Sequence, residues 1–61
     1  MNAEHKKQLL QAHTDASQAI IHLEIAIVRH RPQESLRMAQ ENLEQALENV
    51  REVLFLMRRG E

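Results

Sequence analysis

Four histidines, at 5, 13, 22 and 30, are the residues of this chain best suited to hold a metal, and His13, Asp15 and Ser17 carry the three side-chain types of a nucleophilic triad. Their spacing argues against both chemistries. Ligands on one helix must be three or four residues apart, and no histidine has a His, Asp or Glu four positions away on the same expected helix. The positions three before them are Asn2, Leu10, Ala19 and Ile27, so the Glu-x-x-His unit of di-iron bundles does not occur. On a helix Asp15 points away from His13 and Ser17. With no glycine-rich phosphate loop and only 61 residues to enclose a pocket, the expectation is a non-enzyme with no catalytic residue, metal or cofactor.

Charge narrows the remaining classes. Eight Lys and Arg stand against nine Asp and Glu, for a net charge of −1, where neutralising nucleic acid phosphates calls for a basic excess. Phe55 is the single aromatic residue, so bases would find no stacking platform. No apolar run reaches the ~18 residues of a membrane span, and no secretory leader pattern is present. The expected setting is the cytoplasm, with nucleic acid disfavoured as a partner and no membrane contact.

The elements follow from punctuation. One Gly and one Pro among residues that are mostly good helix formers specify an all-α chain. Pro32 is the only internal breaker, preceded by basic residues that suit a helix C-terminus and followed by Glu34, which suits a first turn. A single domain over 1–61 is expected, with helix 1 at about 3–30, a turn at 31–32 and helix 2 at about 33–59.

Helix 1 carries a 3-4 apolar stripe at Leu9, His13, Ala16, Ile20, Leu23, Ile27 and His30; helix 2 carries one at Leu36, Gln40, Leu43, Leu47, Val50, Leu54 and Met57. On one continuous helix the two stripes would lie ~120° apart, so the chain must fold back. Folding at 31–32 matches Leu9 with Leu54, His13 with Val50, Ala16 with Leu47, Ile20 with Leu43, Leu23 with Gln40 and Ile27 with Leu36. These pairs are the expected facing layers of an antiparallel two-helix hairpin. Ala12, Ala19 and Ala26, flanked by Val53, Ala46 and Ala39 of the other helix, let the backbones approach closely. His13 and Gln40 are the polar members of apolar layers, where they can set register and specificity. If buried there, His13 would loosen the assembly on protonation in mild acid.

A hairpin of this size leaves folding nearly balanced against chain entropy, and with no Cys to staple it, self-association is the expected remedy: a homodimer in the form of a four-helix bundle. Apolar residues lie outside the main layers. Ile21, Ile25 and Val28 form a second stripe that Met38 extends beside the turn, and Leu10, Phe55 and Leu56 gather at the open end. Glu41, Glu44, Glu48 and Glu52 give an acidic waist, while Lys6, Lys7, Arg58 and Arg59 at one end and Arg29, Arg31 and Arg37 at the other give basic tips.

The expected function is a small protein-binding module, a regulator, inhibitor, anti-activator or adaptor, that dimerises and engages a larger target protein through Ile21, Ile25, Val28, Met38, Leu10, Phe55 and Leu56. In size and layout the chain resembles small helical chaperones of bacterial secretion systems and compact phage-encoded or sporulation regulators. It also resembles the Rop family of plasmid copy-number proteins, which implies as an alternative an RNA-binding four-helix-bundle dimer whose basic tips make the contact. A purely structural self-assembly unit is the third reading.

Overall fold

The structure, a computed structural model, describes residues 2–60. Two helices, α1 (Ala3–Val28) and α2 (Gln33–Arg58), pack against each other as an antiparallel hairpin, and no strand occurs among the described residues. α1 starts at Asn2, whose Oδ1 accepts from the His5 backbone N–H at 2.8 Å, and Glu4 in the first turn complements the helix dipole. Asn2→Ala should therefore lower stability by ~1 kcal/mol, read as a fall of about 4–8 °C in the thermal midpoint.

α1 closes at Val28, two residues short of the expected His30. Arg29 is extended (φ −98°, ψ 151°), which ends the helix three residues before Pro32. Pro32 itself is helical (φ −81°, ψ −3°), and its carbonyl accepts from Leu36 N at 2.8 Å to start α2. At the far end Gly60 takes the left-handed conformation (φ 84°), with its N–H donating to the Met57 carbonyl at 3.1 Å.

The alanines, not the leucines, hold the hairpin together. Ala12, Ala19, Ala26, Ala39, Ala46 and Val53 are the buried apolar residues, and no larger apolar side chain is buried among the described residues. Matched by level, they pair as Ala12 with Val53, Ala19 with Ala46 and Ala26 with Ala39. The layers expected to face each other do not: Ile20, Leu43, Leu47 and Leu54 remain about half exposed, and Ile27 is 82% exposed. Geometry gives the reason. Each large residue follows a seam residue by one position: Ile20 after Ala19, Ile27 after Ala26, Leu47 after Ala46, Leu54 after Val53. One step is ~100° of rotation. An antiparallel pair preserves the sense of that rotation, so both helices turn their large residues onto the same side of the hairpin. The six expected pairs are neighbours across that one face.

The product is a thin, two-sided rod, with Cα extents of 48 × 15 × 10 Å. Its radius of gyration, 14.2 Å, exceeds the ~10.5 Å of a compact chain of this length.

Candidate protein-interaction surface

On one side of the rod lie Leu9, Ile20, Leu23 and Ile27 from α1 and Leu36, Leu43, Leu47, Val50, Leu54 and Met57 from α2. Most of these are more than a third exposed. A shallow groove of about 290 Å³ opens on this face along α2, lined by Leu36, Ala39, Gln40, Leu43, Glu44 and Leu47 with Leu23 of α1. The hairpin exposes 5091 Å², whereas a compact monomer of this mass exposes ~4,100 Å². The surplus is about 1,000 Å², the same order as the ~800 Å² that each partner contributes to a stable protein–protein interface.

The opposite side is built from the residues just before the seam: Gln11, Gln18 and Ile25 on α1, Met38, Gln45 and Glu52 on α2. It is mainly carboxamide and charge. Asn42 Nδ2 donates to Gln18 Oε1 across the helices at 3.4 Å, and Gln11 Nε2 donates to Asp15 Oδ1 at 3.4 Å. Asp15 and Asn49 are buried at the seam edge, and Asp15 Oδ2, Asn42 Oδ1 and Asn49 Nδ2 have no hydrogen-bond partner. An unpaired buried amide costs ~1–3 kcal/mol. Asn49→Leu, close in volume and without the orphaned donor, should raise the thermal midpoint by roughly 4 °C or more.

The residues singled out in the sequence fall into distinct places. Ile25 and Met38 come together as expected, half-buried and 43% exposed, in a depression of about 250 Å³ near the turn that His22, Arg29, Arg31, Glu34 and Ser35 complete. Ile21 and Val28 lie farther round, on the outer edge of α1, 54% and 81% exposed. The open-end group divides. Leu10 is two positions before Ala12 and Phe55 two after Val53, which places them on the outer edges of different helices, both exposed. Leu56 is half-buried on the polar side. The Arg59 guanidinium sits 5.6 Å from the centre of the Phe55 ring, so this edge carries a cation over its aromatic face.

His13 and Gln40 are exposed in the hairpin, on the outer flanks of the apolar face. They do not fill a layer between α1 and α2, and acid loosening through a buried His13 does not arise within one hairpin. His13, Asp15 and Ser17 do not converge: Asp15 is buried beside the seam, and the Ser17 hydroxyl donates to the His13 backbone carbonyl at 2.9 Å. His5, which the sequence offers only as one of four scattered histidines, is 2% exposed at the open end of the seam, one heptad before Ala12. Among the described residues no three His, Cys, Asp or Glu side chains converge on a metal-sized site, and no helix is long and apolar enough to cross a membrane. Compared with protein-family models, curated proteins and solved structures, the chain matches none.

Proposed function

We propose that the chain is a small, non-enzymatic protein-binding module that works as a homodimer, in which the apolar faces of two hairpins close on each other as a four-helix bundle. One observation carries this reading: most of the large apolar residues of both helices are gathered on one side and left uncovered, while the apolar part of the seam is five alanines and Val53. Such a hairpin lacks a core of its own, and an apolar face repeated on a second copy supplies one. The dimer keeps the polar sides and outer edges free, so the surfaces that engage a larger target protein are the depression at Ile25 and Met38 and the edges at Ile21, Val28, Leu10 and Phe55.

The test has two arms. Solution mass establishes the dimer. Immobilised dimer is then compared with an Ile25→Glu, Met38→Glu variant of unchanged mass. A single protein held in stoichiometric amount by the first and lost by the second supports target binding through the depression. Equal retention by both, or salt-sensitive retention of RNA that depends on Lys6, Lys7, Arg58 and Arg59, contradicts it.

A further inference from the structure

The polar side stays free when two apolar faces close on each other, and its two edges are unlike. Glu34, Glu41 and Glu48 each stand one position before a seam-edge residue of α2 (Ser35, Asn42 and Asn49), and one step of ~100° turns them onto the outer edge of this side, all exposed. Ile21 and Val28 hold the corresponding positions on α1, before His22 and Arg29. One edge is therefore acidic and the other apolar, with the depression at Ile25 and Met38 between them.

Nothing else on the waist of the rod cancels the acidic edge. Glu52 adds a further exposed carboxylate to the polar side, and Asp15 lies buried beside the seam. Glu24, Arg37, Glu44 and Arg51 each stand two positions before a seam residue, on the outer backs of the helices. Residues 11–28 and 33–54 together thus hold seven carboxylates against two guanidiniums, a net charge of −5 with the histidines neutral. The cations of the polar side lie beyond this stretch, Arg29 and Arg31 at the turn and Lys7 and Arg59 at the open end.

Both edges repeat at one interval. Ile21 and Val28, like Glu34, Glu41 and Glu48, are spaced by seven residues, ~10.5 Å along the rod. Helices packed nearly parallel share that repeat, so a helix laid along the polar side meets each edge with one constant face of its own. The depression, about 250 Å³, exceeds the ~150 Å³ that holds a benzene ring. It has room for one large apolar side chain.

We propose that the polar side docks a basic amphipathic helix of the target protein, an assignment that rests on the target-binding reading above. The apolar face of that helix lies along Ile21 and Val28 and puts one side chain into the depression, while its Lys and Arg side chains face Glu34, Glu41 and Glu48. Its positive charge is confined to the ~20 Å between Glu34 and Glu48, since Arg29 and Arg31 repel cations at the turn.

Three synthetic peptides of about 18 residues serve as probes, alike in a leucine face and differing in one flank, which is Lys, Gln or Glu. Fluorescence anisotropy of the labelled peptides against the wild-type dimer, at ~0.15 M salt, should give the Lys peptide a Kd at least about tenfold below that of the Glu peptide. Glu41→Lys with Glu48→Lys should reverse that order. Glu24→Lys with Glu44→Lys makes the same change in net charge on the backs of the helices and should preserve it. Ile25→Gln with Met38→Gln, at unchanged mass, should weaken the Lys peptide about tenfold. Equal affinity for the three peptides, an equal effect of the two lysine pairs, or no binding by any peptide overturns the basic helix. A target protein held in stoichiometric amount through Ile25 and Met38 leaves the protein-binding reading standing in each of those cases.

Discussion

Ala19→Leu is expected to abolish the hairpin's native packing. Ala19 is fully buried, facing Ala46 at the centre of the seam. The distance between packed helices is set by the side chains between them, and here those side chains are methyl groups. A leucine at the centre needs the backbones to part, which removes the contacts at Ala12 and Ala26 as well, since both helices are stiff rods. Overpacking of this kind costs ~3 kcal/mol in each chain. For a chain of this size that lowers the thermal midpoint by about 12 °C or more. Ala3→Leu, at the exposed first position of α1, should leave it unchanged, so the loss belongs to the seam and not to leucine's helix propensity. The check is thermal denaturation by circular dichroism at one protein concentration.

Leu43→Glu is expected to act through a different link. Leu43 is 48% exposed and lines the groove on the apolar face. Were the hairpin to function alone, the carboxylate would stay in water and the change would be mild. In a four-helix bundle two such carboxylates enter the apolar centre without partners, at several kcal/mol each. The dimer should weaken by at least ~1,000-fold in Kd, about 4 kcal/mol. Helicity should fall with it as the concentration drops, because a two-helix rod closed by five alanines and Val53 buries little apolar surface. Ile21→Glu is the matching control: Ile21 is 54% exposed on the outer edge, and its substitution should leave the mass unchanged. Equal effects of the two would contradict the assignment of the faces.

The helices and the turn were legible in the chain because their signals are local. Pro32 restricts itself and Arg31 whatever surrounds them, so a break near 31–32 follows from the sequence, whereas the stop at Val28, with Arg29 already extended, does not. Which residues face which helix is a tertiary matter, and there the large apolar stripe misleads. Size correlates with burial in an ordinary core, so Ile20 and Leu43 read as the contact between helices, with the alanines beside them. The structure reverses the roles. The readable clue was the regularity: Ala12, Ala19 and Ala26 recur every seventh residue, opposite Val53, Ala46 and Ala39 at matching levels. A repeat of small residues on both helices marks the closest approach, and the larger residues one step on must then seek a different partner.

Asp15 and Asn49 were not legible, because nothing in their neighbours distinguishes a polar residue at the seam edge from one in solvent. Of the candidate interaction residues, Ile25 and Met38 were readable as a pair, since fold-back level alone brings them together. Leu10 and Phe55 share a level as well, yet lie on opposite edges, a distinction that depends on where the seam runs.

Light scattering coupled to size exclusion tests the central claim most directly. At micromolar concentration the account predicts a mass twice the 7.1 kDa of the chain, falling to that of a single chain for Leu43→Glu and unchanged for Ile21→Glu. A helical, cooperatively melting wild-type chain that remains at the single-chain mass across the concentration range would contradict it.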